Sequence, residues 1–134
     1  MILSLVVAIA AAIEGSAPLG NILAGDKVYN GLAPEGSKFP YITLSNFSEA
    51  EKNVFNNVGT SSKGTFNIWA RGSGEMDVLT IYEDLRLLFH NKRLVLGTGK
   101  HIQGKLRLIM TGAGDQSDSL IVRGVAEYTM RAVA

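Results

Sequence analysis

Few residues of this chain have the type and the spacing that chemistry requires. The two histidines, His90 and His101, stand outside any pattern of metal ligation or acid–base catalysis, and no HExxH or GxSxG motif is present. Gly97-Thr98-Gly99-Lys100 is similar to part of a phosphate-binding loop, but such a loop needs a longer glycine-spaced cradle and a Ser or Thr after the lysine. We therefore predict no catalytic, cofactor-binding or metal-binding residues, and we expect that the chain is not an enzyme.

The charged residues do not indicate a metal site or a nucleic-acid site. Two pairs of carboxylates fit solvated surfaces, Glu83 with Asp84 and Glu49 with Glu51, and a metal cluster would need several such groups to converge. Basic residues are denser over 86–107, but no aromatic residues interleave them as they do on a platform for single-stranded nucleic acid. We interpret this stretch as a solvated face or as one that touches a partner.

The composition fits one globular domain, residues 1–134. Apolar residues make up 46% of the chain and charged residues 19%, which is enough apolar surface for a packed core. The net charge of +1 argues against capture of nucleic acid or an anionic membrane by bulk charge. The absence of cysteine removes disulfides and thiolate chemistry and is compatible with the cytoplasm.

The apolar run at residues 1–13 predicts a buried first helix that ends at Glu14-Gly15. A signal peptide should carry Lys or Arg in its first residues, and this run carries neither. The run is also too short to span a bilayer. The alternative interpretation is a signal or anchor, which would make the chain a small secreted or membrane-associated domain.

Hydrophobic periodicity predicts the elements that follow. A helix is expected over Glu75–His90 with Ser73 as its N-cap, and strands are expected at Phe39–Leu44, Thr65–Ala70, Lys105–Thr111 and Leu120–Arg131. Alternation in the third strand places Leu106, Leu108 and Met110 on the inner side. The order of these elements predicts an α+β fold, in which a mainly antiparallel (mixed) sheet carries helices packed on one face.

The segment 45–63 has a different character from its surroundings. It is polar, with only four apolar residues standing apart from one another: Phe47, Val54, Phe55 and Val58. Connections of this length are unusual in a compact domain and are often functional or disordered. We interpret the segment as a mobile arm or hairpin loop, and as an arm it would order only against a neighbour.

Trp69 is the most informative single residue. Alternation places it on the strand face opposite Phe66 and Ile68. Either helices cover both sides of the sheet, or Trp69 meets another subunit, where tryptophan is enriched among binding hot spots. The candidate residues of a subunit or partner interface are Trp69, Arg71, Phe47, Val54, Phe55 and Val58.

Five segments, in this order, carry a resemblance to a known family. They are Leu23–Tyr29 (LAGDKVY), Phe39–Leu44 (FPYITL), Phe66–Arg71 (FNIWAR), Tyr82–Arg86 (YEDLR) and Arg123–Val125 (RGV). Together they resemble the tail-completion family of long-tailed, siphovirus-type bacteriophages and prophages, which is related in fold to tail-terminator proteins. The resemblance covers nearly the whole chain and rests on the order and spacing of the segments.

The resemblance implies a virion structural protein without a cofactor. It implies a homo-oligomeric ring, a hexamer, that terminates the tail tube and joins it to the head-closure or connector complex. The implied partners are other copies of the chain, the tail-tube protein and the head-closure or connector protein. Genomic DNA would pass through the lumen without tight binding, because a net charge of +1 with mixed acids and bases offers little grip on phosphate.

The implied location is the tail or head–tail junction of the virion, after assembly in the host cytoplasm and with no membrane partner. A neck or head-closure ring protein of the same virion is the nearest alternative, because both kinds of ring share one axis.

Overall fold

The computed structural model describes residues 2–23, 28–31, 38–54, 57–72, 75–95, 101–113 and 120–133. Within these ranges the helices are α1 (Ile2–Glu14), α2 (Ala17–Ile22) and α3 (Met76–Phe89). The strands are β1 (Val28–Asn30), β2 (Tyr41–Val54), β3 (Asn57–Arg71), β4 (Arg93–Val95), β5 (His101–Ala113) and β6 (Ile121–Val133). None of the described helices is long and apolar enough to cross a membrane.

The six strands form one mixed sheet in the order β1-β2-β3-β6-β5-β4. Only β1 and β2 run parallel, and the other neighbouring pairs are antiparallel. The four long strands lie in the middle, and the two edge strands have three residues each. The predicted α+β class with a mainly antiparallel sheet is confirmed.

The described helices pack on one face of the sheet, which we name the core face. Strand residues two apart along the chain point to this face and are fully buried, for example Ile42 and Leu44, and Phe66 and Ile68. The helices contribute residues at helical spacing: Leu5, Ile9 and Ile13 from α1, and Val78, Ile81, Leu85 and Phe89 from α3. Three aromatic rings, Phe66, Phe89 and Tyr128, meet at the centre with centroids 5.4–5.8 Å apart.

The first helix is part of this core. Three of its residues have no exposed surface, and α2 follows after Ser16, whose hydroxyl accepts a hydrogen bond from the Leu19 N–H at 3.4 Å. The apolar run therefore forms a helix from Ile2, as the sequence predicts, and its inner side is buried in the core. Its outer side is also apolar, because Leu3 and Val7 are exposed there.

The described residues of the segment 45–63 are paired strands. Strand β2 continues to Val54 and pairs with β3 from Asn57 onward. The ladder consists of main-chain hydrogen bonds, so strands rich in Ser, Thr and Asn can pair without an alternating apolar pattern. A bulge between Ser45 and Ser48 interrupts the register, with Asn46 in the left-handed region at φ 56°. Mobility of this arm and its ordering against a neighbour stay predictions.

Two smaller expectations also need correction. Met110 does not point inward, because a bulge between Leu108 and Met110 shifts the register and leaves Met110 48% exposed on the other face. The residue at the start of α3 is Glu75, which makes no side-chain cap hydrogen bond, and Ser73 lies outside the described residues.

Helix α3 lies very close to the sheet at Gly124 of β6. A Cβ atom at this position would overlap the Cγ1 atom of Val78, the first buried residue of α3. Val78 is β-branched and has little rotamer freedom in a helix, so it has no easy way to move aside. Glycine is therefore needed at 124 for the helix to rest on the sheet.

We predict that Gly124→Ala lowers the free energy of unfolding by about 1–3 kcal/mol, because it overpacks this contact. Denaturant unfolding measures the loss, and Gly112→Ala is the matched control, since nothing lies within 4 Å of a Cβ atom there. Val78→Ala opens space at the same point, so Gly124→Ala should cost less in that background. Equal losses for the two glycine substitutions would contradict this account of the helix position.

Candidate assembly surface on the open face of the sheet

The sheet face opposite the core, which we name the open face, carries no described helix. The strand registers align its side chains in rows, for example Tyr41, Trp69 and Arg123 in one row and Thr65, Glu127 and Arg107 in another. The sequence leaves two alternatives for Trp69. The first, that helices cover both faces of the sheet, is wrong for the described residues. Trp69 lies on a surface that no other described element of the chain covers.

Trp69 is the centre of an ordered cluster at one end of the open face. Its indole Nε1–H donates a hydrogen bond of 3.1 Å to the Thr43 hydroxyl. On one side the ring stacks with Tyr41, with centroids 6.3 Å apart and an interplanar angle of 25°. On the other side the Arg123 guanidinium lies 5.5 Å from the ring centroid, within range of a cation–π attraction. Trp69 is only half-buried, so part of a preorganised ring stays accessible.

Two more rings extend this cluster towards the β1 edge. Tyr29 meets Tyr41 edge-on with centroids 5.7 Å apart, and Phe39 lies 5.0 Å from Tyr41. Burial raises the pKa of Tyr41, and the neighbouring Tyr29 raises it further, so Tyr41 stays neutral at physiological pH. We name these residues the aromatic cluster: Tyr29, Phe39, Tyr41 and Trp69. Rigid aromatic rings of this kind are typical of the centres of protein interfaces.

The rest of the open face is basic. Antiparallel registers gather cations from four strands onto it, against the single described carboxylate of Glu127, which lies 3.5 Å from the Lys63 ammonium. We name these cations the basic surface: Lys63, Arg71, Arg93, Lys105, Arg107, Arg123 and Arg131. Its edge near β4 contains a pocket lined by Asn91, Gln103, Gly104, Lys105 and Arg131.

Sequence reasoning found only part of this concentration of charge, the denser cations of residues 86–107. Along the chain, acids and bases are mixed, and Arg131 is far in sequence from Lys105 and Arg93. The sequence pattern that could have indicated this surface is the alternation of side chains along a strand. Lys105 and Arg107 lie two residues apart in β5, so both point to the open face. Only the strand order, which places β6 between β3 and β5, shows that the cations of separate segments share one face.

The structure brings together some of the six candidate interface residues but not all of them. Trp69 and Arg71 share the open face at the end of β3. Phe47 instead packs against the core, where its ring fills the space beside Gly64. Val54 and Val58 lie in the paired strands near the hairpin end, and Phe55 lies outside the described residues. Their interface role stays a prediction.

The histidine that can be placed has a structural contact. The Nδ1 atom of His90, at the end of α3, accepts a hydrogen bond of 3.1 Å from the Leu106 N–H and so ties the helix end to β5. Among the described residues, no group of three His, Asp or Glu side chains is arranged to hold a metal ion. Burial raises the pKa of Tyr128 to about 12, and this residue belongs to the core.

Solved structures share this fold. One chain of the structure described as the virion of native gene transfer agent (GTA) particle matches with a TM-score of 0.78 at 15% sequence identity, over 94% of this chain and 92% of that chain. The chain shares its fold with a virion protein. A second solved protein, known only by a serial designation, matches with a TM-score of 0.63 at 12% identity, over 98% of this chain and 92% of the other. No protein-family model and no curated protein matches the sequence.

Trp69 is the chain's single tryptophan, so its fluorescence reports on the open face directly. We predict that its emission shifts to shorter wavelength on self-association, and that the neutral quencher acrylamide reaches it less, because a partner removes water from its exposed edge. A concentration series followed by light scattering and fluorescence together provides the measurement. Association with unchanged emission and quenching would show that the partner covers another part of the molecule.

Proposed function

We propose that this chain is a non-enzymatic structural protein of a virion. In this proposal it is a subunit of the ring that terminates the tail tube of a long-tailed, bacteriophage-like particle and joins it to the head-closure or connector complex. The observation that carries the proposal is the fold match to a chain of a gene transfer agent virion, which extends over 94% of this chain. The order of sequence segments that resembles the tail-completion family supports the position at the tail end.

The open face supports the assembly part of the proposal. A sheet that is packed on one side only, with an ordered aromatic cluster on the other side, leaves a surface that a partner would cover. Rings of identical subunits join each copy to the next through two different surfaces, and this chain has two unlike sides. The resemblance to the tail-completion family supports six as the number of subunits.

Passage of the genome limits how such a ring treats DNA. A lumen on the axis of the particle should not hold phosphate strongly, because each neutralised phosphate adds to a salt-dependent grip. The net charge of +1 is compatible with weak phosphate binding. An uncovered basic surface lining the lumen would not be, because its cations would bind phosphate. We therefore expect weak duplex binding by the closed ring, with the basic surface covered.

A neck or head-closure ring of the same virion is the second candidate. The fold match supports it equally, because a likeness to a virion chain does not fix the level on the particle axis. The two candidates differ in position and in partners. A terminator contacts the tail-tube protein, whereas a head-closure ring contacts the connector on the capsid side.

Gold-labelled antibody against this chain, applied to purified particles in electron microscopy, tests the proposal. We predict label at one level only, at the end of the tail tube next to the head, and particles lacking the chain should show heads and tails that fail to join. Label on the capsid side of that level would favour the head-closure candidate. Purified infectious or gene-transferring particles that contain none of this chain would overturn both.

A further inference from the structure

Charge is segregated between the two layers of this protein. The helices and the residues next to α3 carry five acids: Glu14, Glu75, Asp77, Glu83 and Asp84. The described cations there are Arg86 in α3 and Lys92 shortly after it. The open face of the sheet carries the seven cations of the basic surface against Glu127. A net charge of +1 therefore conceals two surfaces of opposite sign on opposite sides of the sheet.

Apolar side chains are exposed on the acidic side as well. Met76 and Leu87 of α3 are 70% and 69% exposed, and Leu3 and Val7 of α1 are 77% and 59% exposed. No charged residue occurs in α1 before Glu14, and Ser4 is the single polar residue among positions 2–13, so this helix is apolar around nearly its whole circumference. A helix of that kind is normally buried on all sides, whereas only the inner side of α1 is buried in this protein. We name this outer side of the helices, with its acids and apolar residues, the helical surface.

We propose that copies of this chain associate head to tail, with the basic open face of one copy covering the helical surface of the next. The inference deepens the proposed ring by naming the surfaces that close it. Opposite charges and exposed apolar groups occur on both sides: cations beside the aromatic cluster on one, and carboxylates beside Met76 and Leu87 on the other. A contact between these surfaces pairs the charges and buries the apolar groups together.

Two other arrangements fit the observations less well. A symmetric contact of open face with open face would bring the cations of one copy against those of its partner, and such juxtaposition is costly. Nucleic acid as the occupant would account for the cations but not for the exposed apolar residues of α1 and α3. A second copy accounts for both surfaces with one contact.

Charge reversal on each surface, followed by mixing, tests the proposal. The sheet variant is Lys105→Glu with Arg131→Glu, and the helix variant is Glu75→Lys with Glu83→Lys; all four side chains are exposed. Each variant alone should weaken self-association by about tenfold or more, because like charges then meet at every contact. An equimolar mixture should recover association to within about threefold of the wild type, because alternating copies restore opposite charges at every contact.

Sedimentation velocity and native mass spectrometry of the full chain measure these effects. The matched control is Lys38→Glu with Lys92→Glu, which changes the net charge by the same amount as the sheet variant but leaves the basic surface and the three helices intact. It should not weaken association. Thermal unfolding checks that each variant folds. If a charge-reversal variant does not fold, the matching glutamine variant replaces it: Lys105→Gln with Arg131→Gln for the sheet, or Glu75→Gln with Glu83→Gln for the helix. Each glutamine variant should also weaken self-association.

Several outcomes would overturn the proposal. Normal association of the helix variant would exclude the helical surface, and failure of the mixture to recover would exclude the pairing of the two surfaces. If the sheet variant associates normally but loses binding to a duplex oligonucleotide, the basic surface takes phosphate instead. A wild-type chain that stays monomeric at every concentration would refute direct contact between copies, yet it would leave the virion location intact, since antibody labelling decides that separately.

Discussion

The one-sided packing of the sheet is the constraint on which the rest of this structure depends. Two long helices and one short one cover the core face, and the side chains of β2, β3, β5 and β6 alternate between that core and a face without helices. Side chains alternate between the two faces of a strand, so each residue that points into the core places its two neighbours in the strand on the open face. A chain of this length can bury one such layer well, but its second face must be polar or be covered by another molecule.

The open face combines both solutions. Near β1 it presents stacked aromatic rings around Trp69, held in place by the Thr43 hydroxyl and the Arg123 guanidinium. Towards β4 it presents cations, while the acids lie across the sheet on the helices. This separation explains how a nearly neutral protein can offer two strongly different surfaces, which is what a head-to-tail ring requires. The fold itself is shared with a chain of a gene transfer agent virion.

Much of the fold could be predicted because periodicity is a local signal. The helix that contains Val78 and Leu85, the strand that contains Ile68 and the inward faces of both followed directly from spacing. The extent of strand pairing within 45–63 could not be predicted from the apolar pattern, because main-chain hydrogen bonds hold these strands together in a polar sequence. The outward position of Met110 follows from a bulge that residue spacing does not reveal. Predicting the whole basic surface requires the order of the strands in the sheet, which is a non-local property. The mixed order of acids and bases along the chain does not reveal it.

The most direct test of the account is an electron-microscopic reconstruction of the assembled particle at side-chain resolution. The account predicts a ring in which Trp69 and Lys105 of each copy are buried against helix α3 of the adjacent copy. A ring in which the open faces of all copies line the lumen, with Trp69 and Lys105 exposed to DNA or solvent, would contradict it.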